Sequence, residues 1–315
     1  MATVAGGLFD SSTNTDIDAD QGASISTFLD SLGLSETSIT SITPTLGGTT
    51  TISDTTPTTT LNLGSGTTTT IDLSGTSGKT LIVTGTGNAS VQGGSGSDSI
   101  LGGSGSDSMT GGVGDDQVRG GAGNDVVFGG EGTDVLYGNA GDDSIGSDAG
   151  DDTFYGGQGN DTIRGGAEND LLVGGRDVDV LYGNTGNDVA YGNQQNDTMY
   201  GGQGNDVLYG GQNDDLMYGN LGDDTMHGGQ GVDVFFIQSN GGSDVVADFS
   251  GGTDVLRIAT NINGLSITSS SDLLALISSD SDGNAVITLG TQTVTLSGVT
   301  ATDLTTNIST WVEIV

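Results

Sequence analysis

The sequence predicts an all-β fold, a solenoid of short stacked strands, on three observations. Sixteen nine-residue units fill residues 93–236 without an insertion or deletion, and every unit carries Asp at its sixth position. These are Asp98, Asp107, Asp116, Asp125, Asp134, Asp143, Asp152, Asp161, Asp170, Asp179, Asp188, Asp197, Asp206, Asp215, Asp224 and Asp233. Two residues further on each unit is apolar, from Ile100, Met109 and Val118 through to Met217, Met226 and Phe235. A short fixed period reports a fold in which each repeat buries its apolar residue only against its neighbours. Glycine supplies the third observation: it recurs at the first, second and fourth positions, where it permits positive φ and leaves carbonyls unshielded. The last three residues of a unit then alternate one inward side chain with two outward ones, the pattern of a strand.

Four segments follow in order: 1–57, 58–92, 93–236 and 237–315. In the first, Ser24 caps a short amphipathic helix predicted over 24–34, with Ile25, Phe28, Leu29 and Leu32 on one face. It is too short to form a core alone. It either packs on the solenoid or docks on a neighbouring subunit or the cell surface, because patterning reports burial and not the partner. A Ser/Thr-rich stretch bracketed by Pro44 and Pro57 reads as linker or irregular strands. In 58–92, Leu61, Ile71, Leu81 and Val91 recur every ten residues, and Leu63, Leu73 and Val83 echo the first three. Glycine-containing turns lie between them. This is a solenoid lead-in without the aspartates, covering the otherwise open first edge.

Within 93–236 the unit reads G-G-x-G-x-D-x-U-x with U apolar, and Gly120-Gly121-Ala122-Gly123-Asn124-Asp125-Val126-Val127-Phe128 is a clean copy. It resembles the RTX (repeats-in-toxin) nonapeptide, a calcium-binding motif. The resemblance implies a right-handed parallel β-roll in which six residues turn, three form a strand and two repeats make one coil. The charge agrees. With 41 acidic against 5 basic residues and a net charge of −36, the metal-free chain repels itself, and it has few large apolar side chains to offset its conformational entropy. Carboxylates and backbone carbonyls form a hard-oxygen set suited to Ca²⁺ and less suited to the strict octahedron of Mg²⁺. The sixteen aspartates are therefore the candidate metal ligands, and an ideal roll of this length offers up to about fourteen sites. Binding and folding are expected to be one process. Glu168, Asp177, Gln195 and Asn213 replace the fourth-position glycine, and Ser147-Asp148 replaces an opening Gly-Gly pair. Sites beside these turns are expected to be weaker or empty.

After Phe236 come Asp244-Val245-Val246 and Asp254-Val255-Leu256, a helix predicted over 271–277, and alternating strands at 285–289 and 293–296. This resembles the C-terminal flank of type I-secreted RTX proteins, which caps the roll and precedes an uncleaved export signal. The apolar end Trp311-Val312-Glu313-Ile314-Val315 is compatible with one. Residues 1–7 have neither a basic nor an apolar signal region, so export to the bacterial cell surface without an N-terminal signal peptide is the expectation. No apolar run approaches membrane-spanning length. Cysteine is absent, which fits stabilisation by metal instead of disulfides.

No enzymatic constellation emerges. His227 is the single histidine, at an outward ninth position, which excludes a Ser-His-Asp triad and an H-E-x-x-H zinc site. Gly78-Lys79-Thr80 ends like a phosphate loop, but Leu73 stands where its first glycine belongs. Asp16-Ile17-Asp18-Ala19-Asp20 begins like an EF-hand loop, but Gln21 and Thr27 occupy its glycine and final glutamate positions. The acidic balance excludes nucleic acid as a partner. All seven tyrosines (Tyr137, Tyr155, Tyr182, Tyr191, Tyr200, Tyr209 and Tyr218) hold the ninth position, and those eighteen apart share a face. They read either as a ladder stabilising the strands or as a surface for neighbouring rolls or a cell-surface glycan. The reading that joins these features is a secreted, non-enzymatic, calcium-folded structural protein that assembles with itself into a surface layer or filament. The alternatives are an adhesin-type module for glycan or ice, or the export and folding module of a secreted enzyme.

Overall fold

The computed structural model describes residues 39–42, 49–51, 58–64, 68–73 and 78–315; the helix expected over 24–34 lies outside the described residues. The fold is a β-solenoid of parallel stacked coils. The chain forms two compact units, 1–149 and 150–315.

In the first unit successive strands alternate between two sheets. One sheet runs through Thr58–Leu63, Thr80–Gly85, Ser99–Leu101, Gln117–Ala122 and Val135–Ala140, and the other through Thr68–Asp72, Asn88–Gln92, Ser108–Val113, Val126–Glu131 and Ser144–Gly146. All their pairings are parallel, and in the repeats they join residues eighteen apart, as in Val126↔Ser108 and Val126↔Ser144, so two nonapeptides make one coil. The strands are longer than expected. Val126–Glu131 takes the last three residues of one repeat and the first three of the next, because the opening glycines also pair, Gly130 with Gly112. The lead-in behaves as its pattern predicts: Leu61, Leu63, Ile71, Leu73, Leu81, Val83 and Val91 are all buried. The coils extend further back, since Ile39–Ile42, ahead of Pro44, and Thr49–Thr51, within the Ser/Thr-rich stretch, pair in parallel with strands of the lead-in.

The second unit repeats this arrangement from Thr153–Gln158 to Val234–Ile237 and then ends differently. Strand Gln292–Leu296 pairs in parallel with Ser243–Val246 and forms an antiparallel hairpin with Ala285–Leu289. The helix expected over 271–277 is a 3₁₀ helix, Ser270–Leu276, held by a reciprocal capping box between Ser269 and Asp272. The sequence reading had no counterpart for helix α1, Ala301–Trp311, which buries Leu304 and Ile308. Beyond it Val312–Ile314 pairs in parallel with Val255–Ile258, and Arg257 bonds Glu313 at 2.8 Å across that pair. Trp311 packs near Phe249, which packs near Phe235, each with ring centroids 6.1 Å apart. Among the described residues no helix is long and apolar enough to cross a membrane.

The core is one residue wide. No eighth-position side chain of the repeats is more than 2% exposed. Burying one such side chain contributes about 1.5–3 kcal/mol, whereas fixing the backbone of nine residues costs roughly 9–18 kcal/mol. Apolar burial alone cannot hold the coils, and the remaining stabilisation must come from the turns.

Candidate metal centre

The turns place all sixteen sixth-position aspartates inside, none more than 3% exposed. One carboxylate oxygen has a structural task. Oδ1 accepts the backbone N–H of the aspartate eighteen residues earlier, at 2.6 Å from Asp98 to Asp116, 2.7 Å from Asp107 to Asp125 and 2.8 Å from Asp179 to Asp197. Where the lead-in has no aspartate, Lys79 and Ala89 donate their amides to Asp98 and Asp107 instead, both at 2.6 Å.

The other oxygen has no such partner through most of the rows. At Asp116, Asp125, Asp170, Asp179, Asp188, Asp197, Asp206, Asp215, Asp224 and Asp233, Oδ2 is buried without a hydrogen-bond donor. Leaving a charged acceptor so costs more than the about 1–3 kcal/mol of a neutral one. Titration reflects this. Desolvation pushes the Asp125, Asp170, Asp179 and Asp215 carboxyls up to about 8, and aspartates in adjacent coils push the same way. Asp116, Asp197 and Asp206 rise to about 7, and Asp107, Asp188, Asp224 and Asp233 to about 6, burial again leading.

The first-position glycines show where Oδ2 is aimed. A methyl group on Gly120 would lie 2.3 Å from Asp125 Oδ2 and 2.8 Å from the Gly138 carbonyl oxygen. On Gly156 the distances to Asp161 Oδ2 and Gly174 O would be 2.4 and 2.5 Å, and on Gly183 those to Asp188 Oδ2 and Gly201 O would be 2.2 and 2.4 Å. A charged oxygen and a carbonyl oxygen one coil on thus face a space that a Cβ would fill. Two hard oxygens around an atom-sized gap fit a calcium ion, whose oxygen distances are about 2.3–2.6 Å. Among the described residues no three His, Cys, Asp or Glu side chains close on one point. The stacked turns align carboxylates in rows, and at Gly120, Gly156 and Gly183 a backbone oxygen of the next coil faces the same gap.

Several features escaped the periodic reading. Asp244 and Asp254 continue the rows, both 4% exposed, accepting the amides of Asp224 and Asp233 at 3.3 and 3.2 Å. Their signal was the Asp-x-apolar pattern, with Val246 and Leu256 fully buried, but the spacing slips from eighteen to twenty and twenty-one residues. A second, exposed ladder runs along the fifth positions in the opposite sense, Asn187 N–H to Asn169 Oδ1 and Asn205 N–H to Asn187 Oδ1. The fourth-position replacements keep the turn: Glu168, Asp177, Gln195 and Asn213 all adopt φ between 71° and 76°. Glu168 Oε2 and Asp177 Oδ2 even accept the amides of Gly150 and Gly159.

The tyrosines stack on one another. Tyr182, Tyr200 and Tyr218 have centroids 4.9 and 4.6 Å apart and planes within 13° of parallel, and Arg164 lies over the outer face of Tyr182. On the other sheet Tyr191, Tyr209 and His227 stack at 4.8 and 4.6 Å. The faces within each stack cover one another, which is the ladder reading.

The family model of the RTX calcium-binding nonapeptide repeat matches residues 74–109, 83–118, 110–145, 147–181, 173–208 and 200–235, together just over half of the chain. No curated protein matches it. Among solved structures, the extracellular lipase LipA from Serratia marcescens is similar at 19% identity with a TM-score of 0.32, over 73% of this chain and 40% of that one. The chain therefore spans less than half the length of that lipase.

Proposed function

Because the chain belongs to the RTX calcium-binding nonapeptide-repeat family, we propose that its sixth-position aspartates hold calcium through Oδ2, with first-position carbonyl oxygens of the next coil, and that ion binding and folding are one event. The rows of buried carboxylate oxygens without donors carry this reading. When bound, the ion supplies the positive charge these oxygens lack. The residues do the rest. Oδ1 anchors each side chain to the preceding coil, glycine leaves the gap open, and burial keeps water from competing for Oδ2. Calcium tolerates such irregular oxygen sets better than magnesium. Circular dichroism should show strand structure on adding calcium to chelated protein, and little on adding equal magnesium. Strand content already complete in chelator would sink the reading.

At the level of role, we take the protein to be structural, non-enzymatic, secreted and self-assembling into a surface layer or extracellular filament. Three features support this. The described chain is scaffold almost throughout, with distinct segments after the repeats. Its single histidine is stacked on Tyr209. The net charge of −36, which holds metal-free chains apart, falls as ions bind. The C-terminal resemblance to type I-secreted proteins supports export. A glycan-binding role finds less support, since the ring faces a sugar would stack on cover one another. Electron microscopy in chelator and in millimolar calcium tests assembly. Sheets or filaments are expected only with calcium; folded, dispersed monomers would move the reading to a binding or export module.

A further inference from the structure

The rungs are not alike. Asp116, Asp125 and the sixth-position aspartates from Asp170 to Asp233 leave Oδ2 without a donor, and Asp98, Asp107 and Asp254 accept a nearby backbone amide there, but two others meet a side chain in that place. At Asp134 it is Ser147, one of the residues replacing an opening Gly-Gly pair. Its Oγ lies 3.3 Å from Asp134 Oδ2, accepts the Gly130 amide at 3.1 Å, and lies 3.1 Å from the Gly130 carbonyl oxygen. A methyl on Gly129 would lie 2.2 Å from Asp134 Oδ2 and 2.7 Å from Ser147 Oγ. At Gly120 the second neighbour is a backbone carbonyl oxygen. The hydroxyl therefore sits against the gap that is open in the neighbouring coils.

At Asp244 the group is Gln292, 1% exposed, whose Nε2 donates to Oδ2 at 3.4 Å. Its Oε1 accepts Asn263 Nδ2 at 2.9 Å, and Asn263 Nδ2 also donates to the Leu289 carbonyl at 2.8 Å. That network fixes the amide with its protons toward the carboxylate, an orientation that repels a cation. A methyl on Gly241 would lie 2.5 Å from Gln292 Nε2, so the gap there is filled too.

We infer that Ser147 and Gln292 stand in for the cation at Asp134 and Asp244, so that neither of these rungs takes a metal. The inference rests on the calcium reading above and refines it: neutral side chains serve two carboxylates, and ions serve those whose Oδ2 has no donor. It also assigns Gln292 the task of closing the repeats against the C-terminal hairpin without a metal.

The test is a count of calcium ions per full-length chain, by equilibrium dialysis with elemental analysis, with a thermal melt in calcium to verify folding. Ser147→Gly restores the repeat glycine and should raise the count by at least one ion. Ser147→Thr keeps a hydroxyl and should leave it unchanged. Gln292→Glu keeps the side-chain shape, offers a second carboxylate and should add one ion. An unchanged or lower count in Ser147→Gly overturns the inference at Asp134, the lower count meaning that the hydroxyl itself ligates an ion. No increase in Gln292→Glu overturns it at Asp244. A parent chain that binds no calcium would instead remove the underlying reading, before any variant is compared.

Discussion

At Asp215 the two oxygens of one carboxylate do different work: Oδ1 accepts the Asp197 amide at 2.8 Å, and Oδ2 has no partner. Asp215→Asn keeps an acceptor for that amide and removes the charge. It should lose about one ion and roughly 1–3 kcal/mol of calcium-dependent stability, while in chelator the variant should be no less stable than the parent. Melting with and without calcium distinguishes these effects. The raised carboxyls also set a pH dependence. A group whose folded pKa lies above its unfolded value binds more protons when folded, so its contribution is fully present below about 4 and lost as pH rises through about 6 to 8. The chelated chain should therefore gain strand structure as pH falls from 8 toward 4, and calcium affinity should fall over the same range as protons compete. Circular dichroism and calcium titration at pH 8, 6 and 4 check both. The sixteen aspartates were legible because a strict period marks them. Asp244 and Asp254 were not, because insertions break the count, and the division between Oδ1 and Oδ2 depends on backbone amides a coil away.

Among the elements, adjacent glycines have unlike reasons to be glycine. A Cβ on Gly201 would meet Asp206 Oδ2 at 2.3 Å and Gly219 O at 2.7 Å, whereas Gly202 holds φ +120° and its Cβ would meet the Asn184 carbonyl oxygen at 2.1 Å. Gly201→Ala should therefore cost calcium at one rung, read as ion count. Gly202→Ala should destabilise the coil by about 1–3 kcal/mol, read as a lower melting temperature in calcium. Tyr200 stacks on two neighbours, so Tyr200→Ala should lose about 1–3 kcal/mol beyond its buried area, read the same way. Strand placement was legible from the apolar eighth position, but strand length was not, since Gly-Gly carries no propensity for the pairing it makes here. Helix α1 was hidden for a similar reason. Thr302, Thr305, Thr306 and Thr310 lower helix propensity, and only burial of Leu304 and Ile308 with the cap from Thr300 reveals why this segment is helical.

For the whole molecule the charge imbalance and the buried oxygens make separate demands. Salt at about 1 M shortens the Debye length to roughly 3 Å and quiets exposed repulsion, but it does not fill a desolvated gap between Oδ2 and a carbonyl. Sodium chloride in chelator should therefore shrink the chain without producing strand structure, and calcium should do both. Small-angle scattering beside circular dichroism separates the two. Strand signal appearing with salt alone would mean that general repulsion, and not specific sites, keeps the chain unfolded.

The sequence repeats every nine residues and the strands pair every eighteen, so the chain obeys a parity rule. Removing 183–200 deletes a whole coil and returns every later residue to the sheet it left. Removing 192–200 alone transfers every later strand to the opposite sheet, so that Tyr209 would follow Tyr182 and Tyr218 would follow Tyr191, while Ser243–Val246 and Val255–Ile258 move together with the strands they pair with. Repeats in such a chain can be gained or lost in pairs with every later residue keeping its sheet, whereas a single gain or loss re-sorts the aromatic stacks across the junction and carries the cap over with its own partners.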